Sequence, residues 1–263
     1  LLSASAPTRR SPAATRSHDI RVDDGEARLY NERTLPGGKT MGLIDLHTHT
    51  MLSDGELIAS ELVHRARVNG YSAIGLTDHV DASNLEAVAE ATLRAAEALN
   101  KHQPVTVIPG VELTHVPPSH IAELAQRARE LGLPLVCAHG ETRAEPVAPG
   151  TNRAALESQI DILVHPGLIG DADARLAAER GIHLELSARK GHCITNGHVA
   201  RVALAVGARL VVNTDAHAPE DLLTEAAWQA VARGAGLTAE QAAEAARNSE
   251  ALVEKLTATR SRS

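Results

Sequence analysis

A chain of 263 residues has room for one large α/β domain or two small ones. Its 43% apolar and 22% charged residues match an ordinary globular protein rather than a membrane one, and no apolar run reaches transmembrane length. A net charge of −7, the absence of Phe and 1% aromatic residues argue against extended nucleic-acid binding, which needs a basic surface and stacking faces.

Residues 1–40 are rich in Ser, Ala, Pro, Arg and Gly and show almost no hydrophobic periodicity, so they are expected to form a polar tail or an edge attachment. They contain no continuous apolar core of a secretion signal, and Met41 is an alternative native start. From residue 42 short apolar runs alternate with longer segments of helical period, the pattern of βα units feeding a parallel sheet. Strands are predicted at 42–46, 72–76, 105–111, 133–138, 160–164, 182–186 and 209–213. Helices are predicted at 56–69, 81–101, 118–131, 151–158, 171–179 and 194–206, and two more follow the last strand at 219–233 and 238–256. Leu62, Val63 and Ala66 define one apolar helix face, and Gly70, Gly132, Gly181 and Gly207 stand where left-handed helix caps precede a strand. The short linkers leave residues 41–263 as one domain. Periodicity alone leaves a closed barrel and an open doubly wound sheet both open.

The residues at the strand ends choose between them. The first strand runs into His47 and His49, the second into Asp78 and His79, and the third into Glu112. His139, His165 and the pair Asp215 and His217 follow the fourth, fifth and seventh. Alternation along a strand turns His47 and His49 to the same side. In a barrel all C-terminal strand ends surround one mouth, whereas an open sheet would separate its first and seventh strands. The barrel is therefore favoured. A single His at a strand end is usually an ordinary hydrogen-bonded residue, but six such ends together with Glu112 and Asp215 point to metal ligation. With Cys137 and Cys193 the only cysteines and no CxxC spacing, the donors are imidazole and carboxylate, which suit Zn²⁺, Mn²⁺ or Fe²⁺. The same cysteine usage fits a reducing cytoplasm.

The sequence D-L-H-T-H-T at 45–50, S-D-G at 53–55, T-D-H at 77–79, P-G-V-E at 109–112, H-P-G at 165–167 and T-D-A-H at 214–217 resembles the PHP (polymerase and histidinol phosphatase) family. The resemblance spans about residues 42–217 and implies a distorted seven-stranded (β/α)7 barrel holding two to three divalent ions. It implies a first ion on His47, His49, Glu112 and Asp215, a second on Glu112, His139 and His165, and a third on Asp54, His79 and His217. Asp54 stands at a position that varies among family members.

The activity expected is hydrolysis of a small phosphomonoester, histidinol phosphate being a candidate by family name. Asp215 or His217 would accept the proton from the attacking water, and Glu112 would bridge two ions. Arg189 and Lys190, which follow the sixth strand where no metal ligand was found, are candidate phosphate contacts, with His192 and Arg143 in similar loops. Arg153 and Asn152 also lie in such a loop, and His115 follows Glu112. Histidines 18, 64, 102, 183 and 198 are expected to be structural. Three alternatives are a phosphodiesterase or nuclease acting on nucleotides or oligonucleotides, an amidohydrolase-like use of the same metals, and a non-catalytic metal-binding regulatory module.

Overall fold

The computed structural model describes residues 42–260. The reading of residues 1–40 as a polar tail falls outside them. The strands are β1 (Leu43–Asp45), β2 (Tyr71–Leu76), β3 (His79–Val80), β4 (Thr106–Leu113), β5 (Leu135–His139), β6 (Ile162–Val164), β7 (His183–Ser187) and β8 (Leu210–Asn213). The helices are α1 (Ala59–Val68), α2 (Leu85–His102), α3 (Pro118–Glu130), α4 (Thr151–Leu156), α5 (Asp171–Arg180), α6 (Asn196–Val206), α7 (Glu225–Gly234) and α8 (Ala239–Arg260). All pairings are parallel, in the order β1-β2-β4-β5-β6-β7-β8, with β3 also paired to β4.

The sequence predicts seven strands, and the eighth arises by a break in the second. β4 is long enough to pair with β2 through Thr106–Pro109 and with β3 through Glu112 and Leu113. The interruption at Thr77 and Asp78 is held by Thr77, whose amide and hydroxyl both donate to the carbonyl of Thr48. β3 thus continues β2 past a kink, and the architecture is a nearly closed barrel of seven parallel strand positions with interleaved helices.

Closure between β1 and β8 depends on side chains as well as backbone. The amide of Leu46 donates to Asn213 Oδ1 at 2.9 Å, and that of Thr214 donates to Asp45 Oδ1 at 3.2 Å. Beyond this point Asp215 N donates to His47 O, and His49 N donates to Ala216 O, both at 2.9 Å. A seam stitched partly by side chains departs from regular strand pairing, and this is the local origin of the barrel's distortion.

Alternation sorts the strand residues into two cores. On β4, Val107, Val111 and Leu113 face the helices, whereas Ile108 and Glu112 face inward. The lower interior is filled by Leu46, Ile108, Leu135, Cys137, Ile162, Val164 and Val211, together with Leu252 and Leu256 of α8. The inner positions of the barrel are therefore apolar where the strands begin and ionisable where they end. Each helix offers a stripe to the outer core, such as Leu85, Val88, Ala89, Thr92 and Ala96 of α2. The four glycines expected as caps all have positive φ, between 68° and 90°, a range open to Gly without a Cβ penalty.

Because Leu252 lies 2% exposed within the inner cluster, truncating it should leave a cavity rather than a solvated dent. Leu252→Ala is expected to cost ~2–5 kcal/mol in denaturant unfolding. A loss below about 0.5 kcal/mol, the range of neutral surface changes, would show that α8 does not help fill the barrel.

Candidate metal centre

The inward residues at the strand ends converge on one buried cluster. His47, His49, Glu112, His139, His165 and Asp215 are all 3% exposed or less. Glu112 is at its centre and turns its two oxygens to two groups, with Oε2 also 2.6 Å from His79 Nδ1. Oε2 lies 3.6 Å from His47 Nε2 and 3.8 Å from His49 Nε2, while Oε1 lies 3.2 Å from His139 Nδ1 and 3.6 Å from His165 Nε2. Asp215 Oδ1 completes the first group, 3.7 Å from His47 Nε2 and 3.2 Å from His49 Nε2. Donors tetrahedrally arranged at ~2.0–2.1 Å from one ion stand ~3.3 Å apart, so these separations suit a cation. A third group lies nearer solvent, where Asp54 Oδ1 is 3.4 Å from His79 Nε2 and 3.1 Å from His217 Nε2. His49 borders this group as well.

The second ring nitrogens fix which nitrogen faces each group. His47 Nδ1 is 2.8 Å from Glu185 Oε2 and so carries a proton there, which makes Nε2, toward Glu112 and Asp215, the nitrogen that would offer its lone pair to a cation. His217 Nδ1 donates to the carbonyl of Asp215 at 2.9 Å, which leaves Nε2 toward Asp54. His139 is turned the other way. Its Nε2 donates to the carbonyl of Glu145 at 3.2 Å, leaving Nδ1 toward Glu112. Such partners orient imidazoles for metal ligation.

Several atoms in this cluster are buried without a hydrogen-bond partner, among them His47 Nε2 and both ring nitrogens of His49. Orphaned buried polar atoms are costly, and their clustering at one point calls for a ligand. The charge balance makes the same demand. Burial and then the repulsion of Glu112 and Glu185 push Asp215 up to about 7, against the pull of His47. Burial followed by the neighbouring His79 and His47 hold His49 well below its usual range, so it is a neutral imidazole with a lone pair to offer. The residues present fit divalent cations.

Local backbone geometry serves this arrangement. His165 and Asp215 have φ of 31° and 57°, in a region that non-glycine residues adopt at a cost of ~1–3 kcal/mol. The turn after His165 requires Gly167, where a Cβ would run into the carbonyl oxygen of Glu141. Asp78, also at a strand end, is not part of the cluster. It accepts from Thr50 N, Thr50 Oγ1 and Ser53 Oγ at 2.7–2.8 Å and so shapes the loop that presents Asp54.

The remaining candidates separate clearly. Arg189 turns into the site, with Nη1 donating to Asp215 O at 3.2 Å and Nε 3.9 Å from Asp215 Oδ2. His192 is buried, stacked on His165 at 4.2 Å, with Nε2 3.9 Å from Asp215 Oδ2. Lys190 and Arg143 are exposed, and no described contact joins them to the cluster. Arg153 pairs with Asp173 at 2.6 Å, and Asn152 bonds to the backbone of Glu141 and Pro166, so both are structural. His115 lies on the rim with φ 53°, its ring 5.1 Å from that of His139. His183 is buried below the site and pushed down to about 4 by burial, in keeping with a structural role.

One side chain bonded to this cluster escaped the sequence reading altogether. The strand thought to contribute no site residue, β7, supplies Glu185. Its signal was an acidic residue inside an otherwise apolar run, H-L-E-L-S, where alternation puts it on the inner face between Leu184 and Leu186.

A family model matches this geometry in sequence, because residues 45–179 fit the PHP domain. The chain belongs to the PHP domain family, a family of metal-dependent hydrolases. The matched stretch runs from Asp45 to the helix after His165, and Asp215 and His217 lie beyond it, just past the last strand. An uncharacterized protein of Methanocaldococcus jannaschii is 48% identical over 196 residues, covering 74% of this chain and 90% of that protein. The 5′-3′ exoribonuclease Rnm of Escherichia coli is 30% identical over 166 residues, covering 63% of this chain and 49% of Rnm, so this chain spans about half the length of that relative. Among solved structures, a chain in the cryo-EM structure of archaeal ribonuclease P with mature tRNA has a TM-score of 0.62 at 15% identity, with 81% of this chain and 91% of that chain covered. At that identity the likeness concerns the fold.

The split carboxylate of Glu112 makes a direct prediction. Glu112→Gln removes the charge shared by two groups and should abolish most metal uptake measured by elemental analysis, whereas His64→Ala, on the exposed face of α1, should leave uptake within about twofold. Equal uptake by the two variants would place the centre elsewhere.

Proposed function

We propose that this protein is a metal-dependent phosphoesterase whose substrate is a small phosphomonoester. The observation that carries the reading is the division of Glu112 between two groups of buried imidazoles, in the first of which His47 Nε2 and His49 Nε2 have no hydrogen-bond partner. His47, His49, Glu112 and Asp215 would hold one ion, Glu112, His139 and His165 a second, and Asp54, His79 and His217 a third. Zn²⁺, Mn²⁺ or Fe²⁺ bound there supply a water of lowered pKa and positive charge for the phosphoryl oxygens.

The chain's own residues complete the chemistry. Asp215 Oδ2 faces His165 and His192 and is positioned to accept a proton from water, with His217 Nε2 the other acceptor at the rim when the third group holds no ion. Arg189 extends a guanidinium beside Asp215, where its fork can grip a phosphate. His192, held through Nδ1 by Thr142 at 2.8 Å, offers Nε2 to the same region. The adjoining cleft, about 380 Å³, is lined by Asp54, His79, Val80, Asp81, Ser83, Asn84, Thr114, His115 and Glu145. It has no Phe, Tyr or Trp face for a base and three carboxylates that would repel a second phosphate, which supports a small, polar leaving group over an oligonucleotide.

A second reading, a nuclease acting on nucleotides or short oligonucleotides, is favoured by the similarity to Rnm. Product analysis separates the two, since the first releases inorganic phosphate from monoesters and the second releases nucleotides.

The test is a screen of phosphomonoesters and diesters on protein reconstituted with Mn²⁺, Zn²⁺ or Fe²⁺, followed by variants on the best substrate at matched metal content. Arg189→Ala should lower kcat/KM at least tenfold, equivalent to ~1.4 kcal/mol, and Arg189→Lys should recover part of it. An effect of Arg189→Ala within twofold would mean that the phosphate grip comes from elsewhere. Turnover of diesters alone would overturn the monoesterase reading in favour of the nuclease.

A further inference from the structure

We infer that Glu185 is a positioning residue that sets ligands in two metal groups at once, fixing the tautomer of His47 and the backbone of His165. The inference rests on the metal reading above but concerns a residue outside the ligand set.

Glu185 is fully buried, facing inward from the middle of β7 while Leu184 and Leu186 pack under the helices. Its carboxylate is divided, as that of Glu112 is. Oε2 lies 2.8 Å from His47 Nδ1 and accepts from Asn213 Nδ2 at 2.9 Å, and Oε1 accepts from the backbone amide of His165 at 3.3 Å. Among the described residues no Lys or Arg forms an ion pair with it. A buried carboxylate without such a partner is costly, and an apolar side chain would fill the same space more favourably. Packing therefore does not account for it.

What the carboxylate achieves is orientation. On the Oε2 side it keeps a proton of His47 on Nδ1, so that Nε2, toward Glu112 and Asp215, is the nitrogen that would offer its lone pair to a cation. On the Oε1 side it holds the amide of His165, whose φ of 31° needs outside support, and this keeps Nε2 3.6 Å from Glu112 Oε1. His47 belongs to the first group and His165 to the second, and Glu112 joins the two. Glu185 and Glu112 thus act on the same two residues, Glu112 facing a ring nitrogen of each and Glu185 holding the other ring nitrogen of His47 and the backbone of His165.

This arrangement separates stability from metal affinity. Glu112, Glu185 and Asp215 are three buried carboxylates around His47, so in the metal-free protein neutralising Glu185 relieves repulsion with the other two while giving up its attraction to His47, two effects that offset, whereas its hold on cations is weakened outright. A residue needed only for the fold would lower both together.

The test is calorimetric titration of Mn²⁺ into chelator-stripped wild type and Glu185→Gln, with the Tm of both metal-free proteins measured beside it. Gln can still accept from His47, but its amide group faces the His165 N–H and cannot accept from it. The variant is expected to bind Mn²⁺ about 10–100-fold more weakly, the range for removing an orienting partner, with a metal-free Tm equal to or above that of wild type. Affinity within twofold, or a metal-free Tm that falls along with affinity, would overturn the inference. Failure of wild type to bind Mn²⁺ would overturn the metal reading and this inference together, whereas equal binding by both proteins overturns this inference alone. Should Glu185→Gln not fold, Glu185→Asp keeps the charge, shortens the reach and is judged by Mn²⁺ affinity alone: binding about tenfold weaker than wild type is expected, and affinity within twofold would overturn the inference.

Discussion

The seam between the first and last strands is the constraint on which the rest of the molecule depends. Asp45 and Asn213 side chains take the place of backbone partners there, and two further backbone bonds link His47 to Asp215 and His49 to Ala216. Residues 47 and 215 are far apart in sequence, yet the seam sets their side chains within 3.7 Å of each other. An open sheet with the same seven strands would bury the same apolar residues on its faces and have no such centre. Barrel closure is thus what turns a list of strand-end residues into a site.

Closure also concentrates charge where water is excluded. The carboxylates of Glu112, Glu185 and Asp215 and the imidazoles of His47, His49, His139, His165 and His192 share the upper interior, and their mutual adjustment is visible in Asp215 being pushed up to about 7 and in His49 being held well below its usual range. Such a cluster costs free energy in the absence of cations. The apolar lower interior, filled partly by α8, and the helical outer core supply the burial that tolerates it. The two halves of the barrel have different tasks, stability below and chemistry above, as expected when the C-terminal strand ends carry the function.

Much of this was legible in the sequence because it depended on local pattern. Alternating apolar runs, glycine caps and the residue type after each strand located the helices, the strands and the His, Asp and Glu side chains that converge at the strand ends. Other features depended on contacts that no local pattern carries. The break between β2 and β3 follows from Thr48 meeting Thr77 across the sheet. Glu185 lies mid-strand rather than at a strand end, so a search of strand ends passed over it. Arg189 and Lys190 are adjacent in sequence and indistinguishable by type, and only the loop geometry turns one toward Asp215 and leaves the other in solvent. His192 looked like any loop histidine until its stacking on His165 was seen.

The central claim is that Glu112 serves two cations at once, and crystallography with an anomalous scatterer addresses it most directly. Crystals prepared with Mn²⁺ and measured at its absorption edge should show one anomalous peak within coordination distance of His47, His49, Glu112 and Asp215. A second peak should lie among Glu112, His139 and His165. An absence of anomalous density on either side of Glu112, in crystals where Mn²⁺ binds at other places, would contradict the account.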